Sequence, residues 1–190
     1  MSALEEVVYP KALARKARVA MIGQGDGSVE AAAERLRAAG FDQITIVGPN
    51  GLDPATDKRL GAVAKILRDC WPERVRDGIH ALDLAAHPLL FAAGLTNRGD
   101  IDVCIGGTAV PLDVMEEAAR WVMGPARSAN GRGHIYYLRA SDGRLATLVV
   151  PDSAGPLDAK GIANLALAGA AHRSRVVGDS PRIGLLVAPP

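Results

Sequence analysis

Aromatic side chains are scarce here, with Phe, Tyr and Trp together making up 4% of 190 residues. A core cannot be filled with large rings and has to be packed from Ala, Val, Leu and Ile, a composition that suits helices lying closely on a parallel sheet. The same scarcity argues against aromatic platforms for stacking nucleic-acid bases. Cysteine is almost missing: only Cys70 and Cys104 occur. Neither belongs to a CxxC pair or has histidine at metal-ligand spacing, which excludes a disulfide scaffold or an ordinary zinc site and predicts reduced thiols. An excess of one charge is missing too, since 22 basic and 21 acidic residues leave a net charge of +1. No bulk attraction to nucleic acid or anionic lipid follows. No apolar stretch reaches the roughly 18 residues of a membrane span. The first residues, with Glu5, Glu6 and Lys11, lack the apolar core of a signal peptide. The expectation is a soluble, cytoplasmic protein without a nucleic-acid or membrane partner.

What the chain does have is an alternation of short apolar runs and helical stripes. Residues 18–22 read as a strand ending at Gly23, and residues 29–39 as a helix with Val29, Ala32, Ala33 and Leu36 on one face. Residues 43–47 read as a second strand, and Asp53-Pro54 opens a helix with the stripe Leu60, Val63, Ala64 and Leu67. Residues 79–84 read as a third strand, His87-Pro88 as the entry of a helix, and residues 101–105 as a buried strand. Pro111 starts a helix expected to turn Leu112, Met115, Ala119 and Val122 inward. A loop over 124–133 leads to Asp142-Gly143 between two β-rich runs, a hairpin signal. Asp158 caps a further helix, and residues 183–187 read as a last strand. The order predicts an α/β fold: a mostly parallel sheet covered by helices on both faces, with an inserted antiparallel hairpin. It is expected to form a single domain over 1–190, with two lobes of about 14–123 and 124–190.

Three places carry residue types suited to binding chemistry. Gly23, Gly25 and Gly27 with Ser28 stand between the first strand and the first helical stripe. Glycines there let backbone N–H groups approach an anion, and a helix N-terminus adds partial positive charge. No Lys-Ser/Thr follows and the spacing is not a full GxGxxG, so a Walker loop is excluded. The segment reads as a tight turn or as a ligand-contacting loop. Gly106, Gly107 and Thr108 repeat the arrangement after a later strand, and ligands of open α/β sheets bind outside the carboxyl ends of strands. Arg127 and Arg132 suit phosphate or carboxylate, or simply a solvated surface. Asp152 and Ser153 either position a substrate group or form a turn. Cys104 reads as a core residue. None of His80, His87, His134 and His172 has a sequence partner suggesting a triad or a metal, so no catalytic residue is assigned and no metal is expected.

Residues 100–115, Asp-Ile-Asp-Val-Cys-Ile-Gly-Gly-Thr and then the helix after Pro111, resemble the motif of phosphate acetyl- and butyryltransferases, in which Ala-Asp and hydrophobic residues precede glycine, hydroxyls and a helix. Residues 142–153, 157–167 and 181–187 are similar to that family's hairpin, long helix and Pro-Arg-Val-Ala strand, and residues 18–23 to its first strand. The resemblance covers most of 18–187. It implies a three-layer α/β/α fold shared with isocitrate and isopropylmalate dehydrogenases, and acyl transfer between phosphate and coenzyme A. It also implies coenzyme A and an acyl phosphate or phosphate as small-molecule ligands, no covalently bound cofactor, and a homodimer or partner subunit. The family's later Ser-Arg-Asp segment has no counterpart, as the chain stops at the strand before it. This implies a shortened member, either active or acting as a non-catalytic ligand-binding or partner subunit. Methyltransferase-related proteins of methanogens in the same superfamily also read Gly-Asp-Ile-Asp and then Gly-Thr, as residues 97–108 do. That likeness implies a role in C1 metabolism.

Overall fold

The computed structural model describes residues 3–23, 25, 27–106, 110–123, 133–151 and 157–186. The chain divides into two compact units, Leu13–Gly124 and a second that joins Met1–Ala12 to Pro125–Pro190. Helix α1 (Ala3–Arg15) crosses this division.

The first unit is built on strand β1 (Val19–Ile22), all four residues of which are buried. Helix α2 (Ser28–Ala38) returns the chain to β2 (Ile44–Val47), which pairs with β1 in parallel. Side chains alternate along a strand. Val19 and Met21 therefore enter one core with Val29 and Ala33 of α2 and Ile44 of β2. Ala20, Ile22 and Val47 point the other way, into a larger core. Three helices then cross that second face before β3 (Val103–Ile105) pairs with the free edge of β1: α3 (Leu60–Cys70), α4 (Gly78–Ala85) and α5 (Pro88–Arg98). The sheet order is β2-β1-β3, all parallel, and α6 (Leu112–Val122) adds Ala118 and Val122 to the same larger core. The result in this unit is three layers: α2, sheet, and α3 to α6.

Helix α5 is the centre of the larger layer. Residues 89–95 are all buried, Phe91 and Leu95 completely, which explains why its sequence is apolar all round. A Cβ at Gly94 would stand 2.5 Å from Val63 Cγ1, so the glycine sets how closely α3 and α5 cross. The end of α6 is latched at one carbonyl: Val122 O accepts from Asn97 Nδ2 at 2.8 Å and from Cys70 Sγ at 3.7 Å. Among the described residues, no single helix is long and apolar enough to cross a membrane.

Several expectations are corrected. Residues 79–84 form helix α4, not a strand. Asp77 caps it by accepting from His80 N at 2.8 Å, and Ala81 and Ala85, one turn apart, are the buried pair, while Ile79 and Leu82 face solvent. Strand β3 is not buried: Val103 is 43% and Ile105 39% exposed, as befits an edge strand. On α6, Leu112 and Ala119 face outward, and the inward stripe is Ala118 and Val122 with half-buried Met115. Residues 183–186 carry no strand.

The second unit contains the hairpin, β4 (Gly133–Arg139) and β5 (Leu145–Pro151), as a two-stranded sheet of its own. It is not inserted into the parallel sheet. Helix α7 (Ala159–Val176) is capped by Asp158, which accepts from Gly161 N at 2.7 Å. Gly169 lets α7 close onto Val149, where a Cβ would come within 2.3 Å of Val149 Cγ2. Tyr137 Oη and His172 Nδ1 are 2.9 Å apart, and Arg173 donates to Leu145 O and Thr147 Oγ1. The opposite hairpin face, with the cross-strand pair Tyr136 and Leu148 flanked by Leu138 and Val150, is exposed.

At the amino ends of β1 and β3, Arg18 grips Asp102 three times: its backbone N–H and its guanidinium Nη2 each donate at 2.8 Å, and Nε donates at 3.0 Å. Those hydrogen bonds hold the Asp102 carboxyl down at about 2, against an ordinary 3.8. A carboxyl whose folded pKa is depressed stabilises the fold above its unfolded pKa and loses that contribution as pH falls through the folded value. Asp102→Asn is therefore expected to lower stability at neutral pH. The gap between variant and wild type should close as pH drops from about 4 to about 2, measured by urea denaturation across that range. A gap that stays constant would show that the pair does not carry the effect.

Candidate functional site

Three parallel strands send their following loops out from one edge of the sheet. Met21 is in register with Ile105, so the chain leaves β1 at Gly23 beside the point where it leaves β3 at Gly106. From there the two connections part. Helix α2 packs with one face of the sheet and α6 with the other. Adjacent strands whose connections leave toward opposite faces open a crevice at their carboxyl ends, the place where open α/β sheets bind ligands.

Close backbone contacts build the β1 side of this edge. Gly23 is buried and donates from its N–H to Val47 O at 2.9 Å. Gly48 follows β2 with φ +138, and a Cβ there would lie 2.4 Å from Gly23 O. The two turns touch without any side chain between them. Gly25 and Gly27 are exposed, and Gly27, with φ 79, is the N-cap of α2. Ser28 is the first helical residue and is exposed. On the β3 side, Gly106 is half-buried, and a Cβ there would stand 2.5 Å from Met115 Sδ of α6. The structure thus brings Gly23, Gly25, Gly27, Ser28 and Gly106 to one edge. Gly107, Thr108, Arg127, Arg132, Asp152 and Ser153 lie outside the described residues.

Two residues at this edge escaped the sequence reading. Asn50 Nδ2 donates to Glu30 Oε1 at 3.1 Å, tying the loop after β2 to the first turn of α2. Glu30 Oε2 is shut off from solvent and has no hydrogen-bond partner among the described residues. A carboxylate in the first turn is favoured by the helix dipole. The available signal was an acidic residue three positions after the N-cap glycine. Nothing in the sequence pairs it with Asn50, because that contact exists only once β1, α2 and β2 have closed.

Two titratable groups away from this edge have settled roles. Cys104 packs against the larger core, and burial pushes its thiol up to about 11. His80 Nδ1 accepts from Arg76 N at 3.2 Å. Among the described residues, no group of three or more His, Cys, Asp or Glu is placed to hold a metal ion.

No family model matches the chain, and no curated protein matches it in sequence. Among solved structures, the EutD phosphotransacetylase from Staphylococcus aureus superposes on 93% of this chain with a TM-score of 0.74 and 17% sequence identity. The fold is phosphotransacetylase-like. This chain spans 59% of the length of that protein.

Two outcomes follow from this geometry. Gly48→Ala combines a left-handed backbone with a collision on Gly23 O and is expected to cost about 3 kcal/mol. Gly27→Ala meets nothing within 4 Å and should cost only about 1 kcal/mol. Chemical denaturation of both variants checks the difference. With a thiol reagent at pH 7.5, exposed Cys70 should react quickly and Cys104 far more slowly, since a thiol held at about 11 is scarcely ionised there. Equal rates in the native protein would contradict the burial of Cys104.

Proposed function

We propose that this chain is a phosphate acyltransferase-like protein that holds an acyl phosphate and coenzyme A at the carboxyl edge shared by β1 and β3. The observation that carries the reading is the pair of glycines, Gly23 and Gly106, that end adjacent parallel strands where α2 and α6 part to opposite faces of the sheet. The likeness of the fold to a phosphotransacetylase over 93% of the chain supports it.

In this reading, backbone N–H groups around Gly25, Gly27 and Ser28 and around Gly106 and Gly107 donate to phosphate oxygens. Thr108 adds a hydroxyl. The Glu30 carboxylate in the first turn of α2 weakens the hold on phosphate there, so Gly106 and Gly107 on the β3 side carry the larger share. The coenzyme A sulfur attacks the acyl carbonyl, and amide donors stabilise the negative charge that builds on oxygen. The bond from acyl carbon to phosphate oxygen breaks, and inorganic phosphate leaves with the thiol proton. The dehydrogenase-like three-layer relationship, a homodimer and a cytoplasmic setting belong to the same reading.

Glu30 also favours a second reading. A half-buried carboxylate at the start of α2, one oxygen of which is shut off from solvent, suits an N–H- or O–H-bearing ligand better than a phosphate. On this view the chain is a non-catalytic ligand-binding or partner subunit, of the methyltransferase-related kind in C1 metabolism.

Mixing the protein with acetyl or butyryl phosphate and coenzyme A separates the two. Under the first reading thioester absorbance rises, and Ser28→Ala lowers the rate several-fold without lowering Tm. A flat trace together with a raised Tm in coenzyme A or phosphate would replace acyl transfer by ligand binding. A flat trace with no Tm change in either would remove the phosphate site altogether.

A further inference from the structure

A groove of about 450 Å3 runs along the outer helical layer of the first unit. One wall is a single stripe of α4 continued to the start of α5, with His80, Asp83, Leu84 and His87 at spacings of three and four. The other wall is the matching stripe of α6, Val114, Glu117, Ala118 and Trp121. Leu89 and Leu90 of α5 complete the lining. Its size falls within the range of small-molecule sites, as does its make-up of an apolar surface with a few polar groups.

Charge narrows the occupant. Neither Lys nor Arg lines the groove. Of its two carboxylates, Glu117 is paired with Arg74 at 3.3 Å, while Asp83 has no such partner among the described residues. The aromatic wall already tolerates a cation: the Arg74 guanidinium carbon sits 5.1 Å from the Trp71 ring centroid and 5.4 Å from that of Trp121. A ring has two faces, and indole is the strongest cation–π partner among side chains.

We infer that this groove is a binding site for a small organic monocation with an apolar body, of the arylalkylamine class, its ammonium at Asp83 and its body along Leu84, Leu90 and Trp121. The inference is independent of the proposed acyl-transfer site, because it rests on other residues and other chemistry.

The test is a 1H–15N NMR titration of the full chain with 2-phenylethylamine, and separately with 3-phenylpropanoate, which has a similar body and the opposite charge. The expected result is saturable shifts at His80, Asp83, Glu117 and the Trp121 indole. The amine should bind about fivefold more tightly than the carboxylate, the scale of one exposed ion pair aided by an aromatic face. Asp83→Asn, at an exposed rim position, should erase that preference. Val114→Arg, also exposed, should abolish binding by placing a cation in the groove. Equal affinity for the two probes, shifts confined to other surfaces, or an absence of saturable shifts would each overturn the proposal. Should Val114→Arg fail to fold, Asp83→Asn alone decides it: a preference that survives the substitution sinks the assignment.

Discussion

Val19, Ala20, Met21 and Ile22 are each withdrawn from water, and because strand side chains alternate, they feed two separate cores from a single stretch of backbone. Everything else in the first unit is arranged around that double burial. It requires a helix on either face and a strand on either edge, so it fixes α2 on one side, α3 to α6 on the other, and β2 and β3 as neighbours. A parallel arrangement is the economical way to supply all of these, since each crossover helix covers the sheet as it returns the chain to the same end. Three successive loops are thereby delivered to one edge. The candidate site is a consequence of how β1 is buried.

Much of this was legible from residue order. The run at 18–22 lacks polar alternation, as a strand covered on both faces should. Asp158 and the Asp142-Gly143 turn announced themselves chemically, and the structure has Gly143 at φ 85 where such a turn needs it. The failures have physical causes. At 79–84, Ile79, Leu82 and Leu84 look like a short apolar run, but the cap at Asp77 and the packing of Ala81 and Ala85 decide for helix. Small residues carried the burial and large ones did not, which a hydrophobicity pattern misjudges. Strand β3 is apolar yet open, because its outer edge has no strand beside it among the described residues.

The site was legible in outline only. Glycines after strands mark where backbone can approach a ligand, and that is visible in one dimension. The electrostatic character of the edge is not. It depends on Glu30 meeting Asn50 across twenty positions, a contact created by closure of the β1–α2–β2 unit. The groove in the helical layer is invisible for the same reason, being made of two matched stripes more than thirty residues apart.

The contact between Gly23 and Gly48 has a bearing on how such a protein can diversify. Gly48 cannot take on a side chain without driving it into the Gly23 backbone, and one at Gly23 would press on the Ile46 side chain, so the turn itself is closed to gradual change. Exposed side chains around the edge, Ser28 among them, stand outside that backbone contact. A lineage built on this scaffold would thus keep its backbone cradle fixed and shift its chemical preference one peripheral side chain at a time.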